Sequence, residues 1–102
     1  MQINIDDVEV VNNPAARRFE AQIADHLAVI DYIPQEKLII FTHTGVPDEI
    51  GQQGVASKMA RTALDYARAN DLKVVPQCPF VAGYIGQHPE YQSLVWDPRS
   101  QT

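Results

Sequence analysis

The strongest constraint on the fold is a change of hydrophobic period near the middle of the chain. Over residues 17–23 apolar and polar side chains alternate, which is typical of a strand with one buried face. Over residues 54–70 apolar side chains recur every three or four positions, which predicts an amphipathic helix. A helix and strands that each carry one apolar face bury those faces against each other, so we expect an α+β fold.

Short apolar runs between turn residues predict the remaining elements. Further strands are expected at residues 8–11, 27–33, 37–44 and 72–75, and a second, shorter helix at residues 79–85. Pro34 is expected to end the third strand. The short connections favour an antiparallel meander, and the long helix before the last strand implies a mixed sheet with that helix on one face.

Composition narrows the classes of partner. The chain has 102 residues, and we expect a single domain over residues 1–102. The net charge is −5 and there is no run of Lys or Arg, so nucleic acid is not an expected partner. The apolar runs are too short to span a bilayer, and the start of the chain lacks the basic and apolar regions of a secretory signal. A single Cys78 cannot form an intramolecular disulfide, which favours the cytoplasm.

The stretch GVPDEIGQQGVASK, residues 45–58, joins a predicted strand to the long helix. A helix N-terminus presents unpaired N–H groups and the positive end of the helix dipole, and glycine lets a phosphate approach the backbone. Ser57 and Lys58 could add a hydroxyl donor and a charge. The glycine spacing matches neither the P-loop nor the dinucleotide-binding fingerprint. From these residues alone, two interpretations stay open: a plain turn, which is the simpler one, and a phosphate-binding loop.

Several segments together resemble the GNAT superfamily of N-acetyltransferases, and in particular its small single-domain members. They are HTGVP, GQQGVASK, the long helix and LKVVPQCPFVAGYIGQHPEY, after a strand-rich first half, and the resemblance covers about residues 8–91. It implies an acyl-CoA N-acyltransferase-like fold, with a mixed, mostly antiparallel sheet, a long central helix and a short C-terminal helix. It also implies acetyl transfer from acetyl-CoA to a primary amine. A CoA-binding module with little or no catalysis is the alternative, and an interaction protein that keeps only the fold is a third.

The resemblance implies a site for coenzyme A at the mouth of the long helix. GNAT enzymes carry Arg/Gln-x-x-Gly-x-Gly/Ala, whose backbone amides wrap the pyrophosphate; Gly54 and Ala56 fill its later positions here. Gly51 stands at the Arg/Gln position, and Gln52 replaces the glycine that often follows, so the expected cradle relies on main-chain N–H groups. The expected cofactor-binding residues are Thr44, Val46, Gly51, Gln52, Gln53, Gly54, Val55, Ala56, Ser57 and Lys58.

Three side chains are the candidates for catalysis. Cys78 follows the last predicted strand, where the resemblance places the acetyl group. It is interpreted first as lining the acetyl pocket, then as inert core, then as an acyl-accepting thiolate. His43 could be a base or orient the acceptor, or be a hydrogen-bonded strand residue. Tyr84 could protonate the leaving thiolate, or bury its ring in the core.

The three histidines and the single cysteine are far apart in the sequence, so we expect no metal site. The acceptor is expected to be a small-molecule or protein amine, reached through an open acceptor side. The protein is expected to be a monomer or a weak homodimer.

Overall fold

The computed structural model describes residues 2–100, in which five strands form one sheet in the order β1-β2-β3-β4-β5. The first four strands are antiparallel, and β5 runs parallel to β4 after the crossover through α1. This architecture confirms the expected α+β fold with a mostly antiparallel sheet and a long and a short helix. The elements are β1 Val11–Asn13, β2 Arg18–Ile23, β3 His26–Gln35, β4 Leu38–Gly45, α1 Val55–Ala69, β5 Lys73–Pro76 and α2 Pro79–Gln87.

The core lies between one face of the sheet and the apolar face of α1. Phe19 contributes its ring to it, with the ring centroid 5.5 Å from those of Tyr32 and Tyr66 and 6.4 Å from that of Phe41. Full burial of an apolar side chain of this kind stabilises the fold by roughly 1.5 to 3 kcal/mol. The α1 residues buried in this core are Val55, Met59, Ala60, Ala63, Leu64 and Ala67.

The opposite face of the sheet is more open. Val29 and Ile40 are only half-buried there, and Ile33 is 41% exposed. Arg18 and Glu20 form an ion pair of 2.6 Å on this face, and the hydrogen bond from Arg18 lowers the pKa of the Glu20 carboxyl. The sheet therefore presents a mixed apolar and charged surface on the side away from α1.

The first strand begins later than the sequence predicted. A strand was expected at residues 8–11, but β1 comprises Val11–Asn13. The preceding residues form a 3₁₀ turn, Ile5–Asp7, in which the Asn4 side chain accepts a hydrogen bond from the Asp6 amide. Val8 is then buried in the core, so the chain joins the sheet only after it.

Pro34 does not end β3 as expected. The strand continues to Gln35, and Pro34 lies opposite Ile39 of β4. The pairing of β2 with β3 ends at Arg18 and Asp31, so β3 has only one neighbouring strand beside Pro34. Pro34 has no backbone N–H, but on a strand edge without a neighbouring strand this costs no hydrogen bond of the sheet.

The helices match the predicted ranges closely. The long helix was expected over residues 54–70 and spans Val55–Ala69, with Gly54 and Asn70 as its caps. The second helix, expected over residues 79–85, spans Pro79–Gln87. Within residues 2–100 no helix is both long and apolar enough to cross a membrane.

Candidate functional site

The mouth of α1 is an uncapped helix N-terminus. The loop before it turns twice into left-handed backbone, at Gln52 with φ of 62° and at Gly54 with φ of 89°. Gly54 is the N-cap residue, and no side chain of the described residues forms a capping hydrogen bond. The first amide groups of an α-helix have no acceptor within the helix, and they carry the positive end of its dipole. This end of α1 can therefore accept an anion.

Three adjoining clefts surround this helix end, and Ser57 lines all of them. Their volumes are about 280, 230 and 400 Å³. Phe80, which is 37% exposed, and Tyr84 of α2 bring the second helix to these clefts. The smallest two lie towards α2 and β4, and the largest lies between α1 and the N-terminal segment. The residues that line one or more of the three clefts include Val46, Gly51, Gln52, Gly54, Ala56, Ser57, Arg61, Phe80, Gly83 and Tyr84.

A gap opens between β4 and β5 beside these clefts. The parallel pairing of the two strands ends at Phe41 and Pro76. The Cys78 amide then donates to the Phe41 carbonyl at 2.8 Å, after which the chain turns into α2. The last residues of β4, residues 42–45, thus extend beyond the paired part of β5. Their backbone groups on that edge can hydrogen-bond to an extended ligand as an added strand would.

A β-bulge in β4 determines which side chains face this gap. Phe41 lies opposite Tyr32 and His43 lies opposite Asp31, so Thr42 is an extra residue in β4. The Thr42 hydroxyl donates to the Asp31 carbonyl at 3.4 Å. Because of the extra residue, His43 lies on the open face of the sheet and Thr44, opposite the buried Ile30, lies on the α1 face. Bulges of this kind bend a strand and re-aim its side chains.

Cys78 and Thr44 lie together at the base of the gap. Cys78 is 2% exposed, and its Sγ is 3.2 Å from the Thr44 Oγ1. Cys78 is also the N-cap residue of α2. A buried thiol and a hydroxyl in contact form a small, weakly polar wall, which suits either the lining of an acyl pocket or a plain core position.

His43 is placed apart from this pair. It is exposed, and a Cβ added to Gly45 would lie 3.2 Å from the His43 Nε2 and 3.6 Å from the Val29 side chain. The ring therefore covers Gly45 on the open face of the sheet.

Tyr84 lies on the side of the α1 mouth. Its ring stacks on that of His88, with centroids 3.9 Å apart, and burial raises the pKa of its phenol. It is six residues beyond Cys78 along α2, about 9 Å in axial rise. The structure thus does not gather Cys78, His43 and Tyr84 at one point.

The side chains of Lys58 and Gln53 contact the N-terminal segment. The Lys58 ammonium donates to the carbonyls of Ile5 at 2.8 Å and Val8 at 2.5 Å. The Gln53 Oε1 accepts from the Ile3 amide at 3.0 Å. These two expected cofactor ligands are therefore engaged by residues about fifty positions earlier in the chain.

Eight residues that line the clefts were not among the candidates from the sequence, namely Ile5, Asp6, Arg61, Pro79, Phe80, Gly83, Gln87 and His88. Arg61 follows Ser57 by four positions, and this spacing places both on one helix face, which the sequence could have shown. Ile5 and Asp6 gave no such signal, because their proximity depends on a long-range contact. Among residues 2–100 no group of three His, Cys, Asp or Glu residues is arranged to hold a metal ion.

Comparison with known proteins gives concordant matches. A family model described as GCN5-related N-acetyl-transferase matches residues 18–94. Protein NATD1 of Gallus gallus is 26% identical over 90 residues, which are 85% of this chain and 82% of that protein. Protein NATD1 of Homo sapiens is 32% identical over 59 residues, 58% of this chain and about half, 52%, of that protein. A GCN5-like candidate N-acetyltransferase of Staphylococcus aureus, solved by NMR, superposes with a TM-score of 0.67 at 28% identity, covering 91% of this chain and 94% of that one.

Proposed function

Because the chain belongs to the GCN5-related N-acetyltransferase family, we propose that it transfers an acetyl group from acetyl-CoA to a primary amine. The observation that carries this proposal is the uncapped mouth of α1, with clefts that adjoin the gap between β4 and β5. The helix end suits an anionic phosphate group, and the gap suits an extended chain that leads from it to Cys78 and Thr44. The two features together match the phosphate and the pantetheine arm of coenzyme A.

The proposed cradle uses mainly the backbone. The amides of Val55, Ala56 and Ser57, in the first turn of α1, face the site without a side-chain cap. Ser57 adds a hydroxyl, and Gly54 adopts at the N-cap the left-handed conformation that glycine takes without steric cost. Gly51 contributes no side chain where GNAT enzymes commonly have Arg or Gln, so main-chain donors carry more of the affinity in this chain.

Acetyl transfer needs three roles: stabilisation of the oxyanion, removal of a proton from the amine and protonation of the leaving thiolate. Attack of an amine on a thioester carbonyl places negative charge on oxygen, which the backbone N–H groups around Thr44 to Val46 would stabilise. The nitrogen–carbon bond forms and the carbon–sulfur bond breaks. The amine loses a proton, for which exposed His43 is the proposed base, acting directly or through water. The leaving thiolate takes a proton, for which Tyr84 is the proposed donor, since its phenol is protonated at neutral pH and burial raises its pKa further.

Cys78 is proposed to line the acetyl pocket rather than to carry the acetyl group. Its Sγ is buried and contacts the Thr44 hydroxyl, and within residues 2–100 no basic side chain hydrogen-bonds to it. A Cys78→Ala variant is therefore expected to retain most of its turnover. Intact mass measured after incubation with acetyl-CoA should show no acetyl group added to Cys78.

The second candidate function is binding of CoA with little or no catalysis. Gly51 at the Arg/Gln position and the separation of His43, Cys78 and Tyr84 favour it. Release of free thiol from acetyl-CoA in the presence of a panel of amines separates the two functions, because only a transferase releases thiol in proportion to the amine consumed.

The acceptor is proposed to be a small-molecule amine or an exposed amine of a protein, which approaches from the open face of the sheet where His43 lies. We also propose that the chain acts in the cytoplasm as a single domain, and as a monomer or a weak homodimer. Sedimentation velocity would test the oligomeric state.

Calorimetric titration with CoA and acetyl-CoA tests the site directly. Ser57→Glu places a carboxylate at the position that lines all three clefts, while an acid in the first turn favours the helix by roughly 0.3 to 1 kcal/mol. We expect saturable binding by the native chain and none by Ser57→Glu, with unchanged or higher thermal stability. Ser93→Glu adds the same charge at a distant exposed position and should bind like the native chain. Binding that survives Ser57→Glu would place the cofactor elsewhere.

A further inference from the structure

The segment of residues 3–8, here called the N-terminal strap, lies across the mouth of α1. Its middle is the 3₁₀ turn Ile5–Asp7, and its far end, Val8, is anchored in the core at 7% exposure. The Ile5 side chain lies against Gly54, since a Cβ built on that glycine would be 3.7 Å from it. The strap therefore covers part of the cleft between the N-terminal segment and α1.

The strap also accepts hydrogen bonds from Lys58, the lysine in the first turn of α1. The Lys58 ammonium donates to two strap carbonyls, those of Ile5 and Val8. A lysine held by two carbonyls has only one N–H donor left for a phosphate. Lys58 lines the same cleft as Ser57, so its ammonium group is close to the proposed anion site. In this structure the ammonium group instead hydrogen-bonds to the strap.

The strap adds an acid to that cleft. Asp6 is one of its lining residues, together with Gly54, Ser57 and Arg61. Its neighbour Asp7 lines a different surface cleft, beside Gln22 and Ile23. The carboxylate of Asp6 therefore opposes an incoming anion, and its effect on the cleft can be separated from that of Asp7.

We propose that the N-terminal strap is an autoinhibitory contact, which withholds Lys58 from the phosphate groups of CoA and is released when CoA binds. This inference rests on the proposed function. The coupling is reciprocal: a ligand that takes Lys58 from the strap weakens strap docking, and a docked strap weakens the ligand by the same factor. Val8 stays in the core and serves as the fixed end of the movement.

Calorimetric titration with CoA on full-length variants tests the sign of this coupling. Ile5→Ser weakens the strap contact with Gly54 and is expected to bind CoA about fivefold more tightly than the native chain. Ile33→Ser, which removes an exposed apolar residue on the open face of the sheet, is its control and should bind like the native chain. Asp6→Asn should also tighten binding by about two- to fivefold, whereas Asp7→Asn, with the same change of charge in the same turn, should have little effect.

Lys58→Met separates the roles of strap anchor and phosphate ligand. In the native background it should change affinity less than about twofold, because the variant loses the strap anchor and the phosphate contact together. In the Ile5→Ser background it should weaken binding about tenfold, because only the phosphate contact remains to be lost. Lys73→Met removes a lysine that also donates to a carbonyl, that of Ser93, at the other end of β5, and should be neutral in both backgrounds.

Hydrogen exchange of the strap amides gives an independent readout. The Asp7 and Val8 amides donate to the carbonyls of Asn4 and Ile5 at 3.0 and 3.2 Å. Saturating CoA should accelerate their exchange, as expected if the strap is released. Slower exchange with CoA, or weaker binding by Ile5→Ser, would make the strap a supporting wall of the site and overturn the inference while leaving the proposed function intact. No binding by either the native chain or Ile5→Ser would overturn both.

Discussion

At the scale of single residues, burial and hydrogen bonding set the protonation of the tyrosines around α2. Tyr91 is 4% exposed and donates to the Asp65 carboxylate at 2.7 Å, while the Arg68 guanidinium lies 4.9 Å above its ring. Burial, followed by the hydrogen bond to Asp65, raises the pKa of Tyr91 to about 12. A tyrosinate is disfavoured here because it would lose water and face a carboxylate.

This shift predicts a loss of stability at alkaline pH. The folded-state pKa of Tyr91 is above its unfolded value of about 10, so its contribution is complete below pH 10 and is lost as the pH rises towards 12. The loss is roughly 2 to 3 kcal/mol at about 1.4 kcal/mol per unit. Urea denaturation of the native chain and of Tyr91→Phe from pH 8 to pH 12 measures it.

The comparison between the two chains isolates Tyr91 from Tyr32 and Tyr84, whose pKa values are also raised by burial. Tyr91→Phe should be less stable at pH 8 by about 1 kcal/mol, the usual worth of a lost hydrogen bond. That difference should shrink and then reverse as the pH approaches 12. A constant difference across the whole range would contradict the assignment.

At the scale of elements, α2 contains two glycines that differ only in what they face. A Cβ on Gly83 or on Gly86 would meet no heavy atom within 4 Å, but only Gly83 lines the cleft beside Ser57. Glycine inside a helix costs roughly 0.5 to 1 kcal/mol relative to a good helix former. Gly83→Gln and Gly86→Gln should therefore both raise the free energy of unfolding by about that amount.

Only Gly83→Gln should weaken CoA binding, because its side chain occupies the proposed site. Calorimetric titration and urea denaturation of both variants give the two quantities side by side. Equal affinities in the two variants would show that the cleft between α1 and α2 is not used by the cofactor.

The bulge of β4 is the second element-scale feature, and it predicts the effect of a deletion. Deleting Thr42 restores regular pairing, yet keeps Phe41 opposite Tyr32 and His43 opposite Asp31, so the buried face is unchanged. Without the bend that a bulge introduces, β4 can pair with β5 beyond Phe41 and Pro76 and close the gap. We expect a folded variant that no longer binds CoA.

Thr42→Val is the matched control, because it keeps the bulge and removes only the hydroxyl that donates to the Asp31 carbonyl. It should bind CoA like the native chain and lose at most about 1 kcal/mol of stability. Near-ultraviolet circular dichroism would confirm that the deletion variant remains packed. Retained CoA binding in that packed variant would argue against the gap as the site of the pantetheine arm.

At the scale of the whole molecule, the sequence predicted what depends on local period and missed what depends on distant contacts. The range of α1 was predictable because Val55, Met59 and Ala63 recur every four residues on a buried face. The bulge at Thr42 was not, since a threonine in a strand looks the same whether or not it is paired. The position of Lys58 in the first turn of α1 was visible in the sequence, whereas its hydrogen bonds to Ile5 and Val8, about fifty residues earlier, were not.

The net charge of −5 matters for the proposed function, because CoA is itself an anion and its proposed site lies in a negative overall field. Asp48 and Glu49 precede the α1 mouth in the loop after β4, whereas Glu36 and Asp71 lie in turns at the opposite ends of β4 and α1. Neutralising either pair changes the net charge by the same two units. If the field acts as a whole, the two double variants should respond alike; if short-range repulsion dominates, only the pair near the mouth should respond.

We expect the second result, because charges more than about 10 Å apart are largely screened at 0.1 M salt. Asp48→Asn/Glu49→Gln should bind CoA about two- to threefold more tightly at low salt, and the gain should vanish near 0.5 M salt. Glu36→Gln/Asp71→Asn should bind like the native chain at both salt concentrations. Equal gains in the two variants would instead mean that the overall charge controls the affinity.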